Sequence, residues 1–168
     1  MSEPAPLSVP RPETGFLIVA HAPLASALRA SALHVFPELA PDISAHDVPP
    51  NTDLEQGLPA LREALLRLGE PGSRPVLVIA DVFGATPCNI AQRLIQQTAA
   101  PGQFKLVTGA SLPMLLRAMG YRHEPLDALV NRATTGGTQG VMHISLTAPQ
   151  TQRQRPNARD SQDRHHQQ

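Results

Sequence analysis

The chain has 168 residues, 41% of them hydrophobic, enough for one domain with a core of its own and short of what two would need. Lysine plus arginine equals aspartate plus glutamate at 14 each, so no global field draws it to nucleic acid or to an anionic membrane surface. A single cysteine, Cys88, excludes an internal disulfide, no Cys/His spacing suggests zinc, and no apolar stretch approaches the roughly 20 residues of a membrane-spanning helix.

Residues 1–14 carry Pro4, Pro6, Pro10 and Pro12, which fix φ and remove donors, so a poorly ordered extended arm is expected there. The arm lacks the basic stretch and apolar core of a secretory signal, and the expectation is a cytoplasmic protein without stable membrane insertion. Phe16 to Ala20 is a continuous apolar run and reads as a central strand. Ala22 to Phe36 follows as a helix with Leu24, Leu28, Ala32 and Val35 on one face. Asp42 to Val48 is a second strand, ended by Pro49-Pro50. Thr52-Asp53-Leu54-Glu55 has capping-box spacing and opens a helix running to about Leu68, with Gly69 as its stop. Pro59 implies a kink there, or a regular part that begins only at Leu58 or Pro59.

Val76 to Ala80 is the clearest strand. The turn Val82 to Thr86 leads from it into a helix from Pro87 to about Gln97, with Thr86 as the expected N-cap. Phe104 to Thr108 is a fourth strand, closed by Gly109, and Ser111 to Met119 and Pro125 to about Thr135 read as helices. Gly136-Gly137 reads as a break, and Gly140 to Leu146 as a last, antiparallel edge strand. Residues 148–168 hold almost nothing apolar and are expected to be a disordered polar tail. The folded unit is thus 15–147, an α/β domain with a three-layer, open, mostly parallel, doubly wound sheet.

Open parallel sheets bind ligands beyond the carboxyl ends of their strands, where the strand order reverses. Three strand-to-helix junctions qualify: Ala20 to Pro23, Asp81 to Asn89, and Thr108 to Pro113. At each, unpaired N–H groups and a positive helix end favour an anion. His21 is the only histidine at such a junction, and imidazole is both a nucleophile and a leaving group for phosphoryl transfer near neutral pH. Asp81 is the candidate to hold one ring nitrogen and so fix the tautomer. Gly84, Ala85 and Thr86 supply backbone and hydroxyl donors for phosphoryl oxygens, and Ser111 stands at the third junction. The transfer requires no metal and no cofactor. Each of these residues also has a plain structural role: His21 as a packing or capping residue, Asp81 as a turn former, Thr86 and Ser111 as helix caps, Cys88 as a small buried side chain.

Taken together, Ile18-Val19-Ala20-His21, Asp81-Val82-Phe83-Gly84-Ala85-Thr86-Pro87-Cys88-Asn89 and Val107-Thr108-Gly109-Ala110-Ser111-Leu112-Pro113 resemble, in order and spacing, the mannose-class enzyme IIA of the bacterial sugar phosphotransferase system. The resemblance implies a phosphocarrier whose histidine, here His21, accepts a phosphoryl group from the phosphohistidine of HPr and passes it to an enzyme IIB or displays it to a regulatory target. It implies Asp81 as the orienting aspartate, Thr86 as the hydroxyl of the phosphate loop, and a homodimer exchanging its last strand. The sequence departs from the family at Ala22 and Ala85, commonly glycines, and at Ser111, often asparagine; a position needing positive φ would not accept the extra methyl. Two other classes share the fold: a non-catalytic anion-binding module that keeps the pocket, and the phosphocarrier subunit of dihydroxyacetone kinase.

Overall fold

The computed structural model describes residues 13–145. The tail expected over 148–168, and all of the amino-terminal arm but Glu13 and Thr14, lie outside the described residues. Those two residues are fixed in place: Arg74 Nε donates to the Glu13 carbonyl at 2.7 Å, and Thr14 is buried.

In chain order the elements are β1 (Gly15–His21), α1 (Leu24–Val35), a 3-10 turn (Pro37–Leu39), β2 (Ile43–Val48), α2 (Leu54–Leu66) and β3 (Val76–Ala80). There follow α3 (Thr86–Gln96), a second 3-10 turn (Pro101–Gln103), β4 (Phe104–Thr108), α4 (Leu112–Gly120) and α5 (Leu126–Gln139). The sheet order is β2-β1-β3-β4, and every pairing is parallel. β1 is buried from Gly15 to Ala20, as its unbroken apolar run requires when both sheet faces are covered. Phe16, Ile18, Leu77 and Ile79 face Ala25, Ala32, Leu115, Met119, Leu129 and Ala133 of α1, α4 and α5. Leu17, Val19, Val76 and Val78 face Leu61, Leu65, Ile90 and Leu94 of α2 and α3. Each buried aliphatic side chain contributes about 1.5–3 kcal/mol, so the alternation along two central strands holds both helical layers. Among the described residues no helix is long and apolar enough to cross a membrane.

Five local expectations are corrected. Asp53, not Thr52, caps α2, its Oδ1 accepting from the Gln56 N–H at 2.8 Å, while the Thr52 hydroxyl donates to the Pro49 carbonyl at 2.8 Å. Pro59 lies inside α2, which begins at Leu54 and not at Leu58 or Pro59. The N-cap of α3 is Ala85, and Thr86 is already its first helical residue, because the preceding turn delivers Ala85 in extended conformation. Gly136-Gly137 does not break α5, which continues to Gln139, and residues 141–145 form no strand in the single chain. The glycines serve contact: a Cβ on Gly136 would lie 2.6 Å from Arg117 Cβ and 2.9 Å from the Pro113 carbonyl oxygen of α4.

Candidate functional site

β1 and β3 are neighbours in the middle of the sheet, and their chains leave for opposite faces, β1 into α1 and β3 into α3. This divergence opens the crevice in which an open parallel sheet binds ligands. His21 is the last residue of β1, and Asp81 directly follows β3.

His21 Nδ1 lies 2.7 Å from Asp81 Oδ2. The same oxygen accepts the backbone N–H of His21 at 2.9 Å, and Asp81 Oδ1 accepts the Val82 N–H at 2.8 Å. Burial of the Asp81 carboxyl works to raise its pKa, but the hydrogen bonds from the His21 backbone and ring and from Val82 outweigh it and hold the group below its ordinary value. Asp81 is therefore a carboxylate near neutral pH and can only accept, which selects the tautomer of the neutral ring that carries its proton on Nδ1 and its lone pair on Nε2. The Asp81 side chain is 7% exposed and that of His21 55%, so the orienting group is enclosed while the ring is accessible.

Four helices begin at this end of the sheet, one after each strand, and they are not equivalent: α2 is capped by Asp53. The first turn of α1 is already served by a carboxylate, Asp47 Oδ1, which accepts the Ser26 N–H at 3.1 Å. The start of α4 is served by Ser111, whose Oγ accepts the Met114 N–H at 3.4 Å. α3 has no side-chain cap, so its leading N–H groups and positive end remain for an anion. Its approach is a tight turn in which the Ala85 N–H donates to the Val82 carbonyl at 3.3 Å and Gly84 takes φ +79°, a conformation that favours glycine. Asn89 Nδ2 closes the turn by donating to the Gly84 carbonyl at 3.1 Å.

The departures from the family pattern meet no backbone conflict. Ala85 has φ −78° and ψ 165°, and Ala22 is not among the residues with positive φ, so neither needs glycine's freedom. Ser111 lines a cleft of about 530 Å³ with Thr108, Pro113, Thr138 and Gly140, without His21 or Asp81. Cys88 is fully buried among the residues under α3, the environment of a packing residue. His123 meets the exposed Glu13 at 3.2 Å, beside the opposite end of β1. Sequence reasoning did not single out Asp47 and left Asn89 without a role. Asp47 had no local signal, since its task depends on the register that sets it beside Ala20.

Among solved structures, the chain is similar to the mannose/sorbose-specific IIA subunit of the phosphotransferase system from Enterococcus faecalis, with 29% identity and a TM-score of 0.68 over 81% of this chain and 98% of that one. It shares its fold with the phosphotransferase component EIIA from Streptococcus agalactiae, at 23% identity and a TM-score of 0.63, covering 77% and 96% of the two chains. A IIA protein associated with the fucose utilization operon of Streptococcus pneumoniae aligns at 16% identity and a TM-score of 0.65, covering 80% and 96%. No curated protein matches the chain. The family model described as the PTS system fructose IIA component matches residues 15–134, which takes in all four strands and both loops of the site, and the chain belongs to this family of phosphotransferase-system IIA components.

Proposed function

We propose that this protein is a phosphocarrier that accepts a phosphoryl group on His21 Nε2 from phospho-HPr and passes it to an enzyme IIB or presents it to a regulatory target. The observation that carries the reading is the 2.7 Å bond between His21 Nδ1 and the buried Asp81 carboxylate, because it orients the ring and selects the tautomer that leaves Nε2 free. Family membership and the mannose/sorbose-specific relative support the same chemistry.

In the forward step the Nε2 lone pair attacks phosphorus as the donor's N–P bond breaks, its electron pair returning to the donor imidazole. His21 becomes a phosphorylated imidazolium that keeps its Nδ1 proton, and the donor, a phosphorylated imidazolium at the start, leaves as neutral imidazole; no net proton moves. Asp81 stabilises the cationic ring. The N–H groups of Gly84, Thr86 and Cys88, and the Thr86 hydroxyl, stabilise the phosphoryl oxygens; the Ala85 N–H is engaged with the Val82 carbonyl and Pro87 has none. Ser111 is assigned to the start of α4 and to the neighbouring cleft rather than to the phosphoryl group. A homodimer is part of the proposal: β4 is an edge of the sheet, and Val141, Met142 and Ile144 stand exposed, available to extend that edge in a second copy.

Incubation with enzyme I, HPr and phosphoenolpyruvate is expected to place one acid-labile phosphate on the chain, and His21→Ala to abolish it. Labelling that survives in the alanine variant sinks the assignment.

A further inference from the structure

The turn that follows Asp81 carries two apolar side chains for which the fold provides no cover. Phe83 is 76% exposed, the most exposed aromatic among the described residues, and Val82 beside it is exposed as well. The turn needs neither: it is made by the positive φ of Gly84, the Ala85 N–H to Val82 carbonyl bond and the Asn89 side chain. At the start of α1, three residues after His21, Leu24 is a third exposed apolar side chain. The bond between His21 and Asp81 ties these two segments together, so the three exposed apolar residues stand within three positions of the paired groups.

Transfer between two histidines constrains what meets these residues. The attacking and leaving nitrogens must lie on either side of one phosphorus atom, with reacting atoms about 3–3.5 Å apart before the step. Two folded proteins can satisfy that only with the loops around each histidine in contact, so side chains flanking His21 become buried as the complex forms. An aromatic group on a rigid turn loses little conformational freedom on burial, and it excludes water that would otherwise hydrolyse the phosphoryl group.

Resting on the phosphocarrier reading, we propose that Phe83, flanked by Val82 and Leu24, is the docking anchor for the phosphohistidine-bearing face of the donor protein. Phe83 is a recognition residue and takes no part in the chemistry at Nε2. The test compares two donors, phospho-HPr and phosphoramidate, a small molecule that phosphorylates imidazole without docking. Phe83→Ala is expected to raise KM for phospho-HPr about tenfold, with the saturating rate within about twofold of the parent, and Phe83→Trp to restore KM. With phosphoramidate, Phe83→Ala is expected to label at the parental rate. An unchanged KM for phospho-HPr overturns the proposal. Equal impairment with both donors overturns it too, by placing Phe83 in the phosphate loop's geometry, and so does a fall in solution mass, which would assign Phe83 to a contact between copies. An unmodified chain that neither donor labels overturns the phosphocarrier reading itself, a result distinct from all of these.

Discussion

Replacing the Asp81 carboxylate by an amide keeps the shape of the side chain and reverses part of its chemistry. An asparagine can turn its NH₂ toward His21 Nδ1, favouring the tautomer with the proton on Nε2 and removing the attacking lone pair. Asp81→Asn is therefore expected to slow phosphoryl transfer by about 10²- to 10⁴-fold, with KM for phospho-HPr little changed because the proposed docking residues are untouched. Single-turnover labelling checks this, and an unchanged rate would return Asp81 to the role of a turn former. Stability carries a second signature. The folded pKa of Asp81 is depressed, so its contribution is fully present above the ordinary aspartate pKa of about 4 and is lost as pH falls through the folded value. The stability gap between the parent and Asp81→Asn should stay constant above about pH 5 and narrow in more acidic solution, as read by denaturant titration. His21 and Asp81 were legible in the sequence because each ends a run of apolar residues, and the switch-point rule acts on strand ends. Asp47 was not, because only the folded register gives it the Ser26 N–H to accept.

Among the elements, glycine is where local signal and tertiary contact diverge. In isolation Gly136-Gly137 weakens a helix by about 1 kcal/mol per residue, which is why the sequence suggests a break. In the fold, α5 passes close over α4, with no room at Gly136 for a methyl group against Arg117 Cβ and the Pro113 carbonyl. Contact between the two helices outweighs propensity, and the helix continues to Gln139. Gly136→Ala tests which term is larger. If propensity governed, alanine would stabilise by about 1 kcal/mol; the close approach predicts the reverse, since neither the backbone oxygen nor a Cβ can swing away, and overpacking costs about 1–3 kcal/mol. A lowered melting temperature is expected, and a raised one would show that the helices separate freely. Thr86 illustrates the same limit on a smaller scale. Its position before Pro87 suggested an N-cap, but a turn built on the positive φ of Gly84 sets the helix start one residue earlier.

For the whole molecule, the proposed chemistry and the proposed dimer contact fall on different parts of the sheet. Both groups of the site, His21 and Asp81, come from the two middle strands of one chain, whereas β4 is an outer strand. Beyond α5 the described chain ends in a segment whose apolar side chains Val141, Met142 and Ile144 stand exposed. In an extended conformation Met142 and Ile144 share one face, and charge placed there would oppose burial between copies while touching nothing in either core cluster. The double substitution Met142→Asp with Ile144→Asp is therefore expected to convert a dimer to a monomer at micromolar concentration in sedimentation velocity, with the far-ultraviolet circular dichroism retained. A dimeric mass in the double variant, or a monomeric mass in the parent, would remove the exchanged edge from the account. Because the bond that fixes the His21 tautomer lies within a single chain, the monomeric variant should still take phosphate from phosphoramidate at the parental rate. A loss of that labelling together with the dimer would mean that the second copy completes the phosphate site, and not merely the sheet.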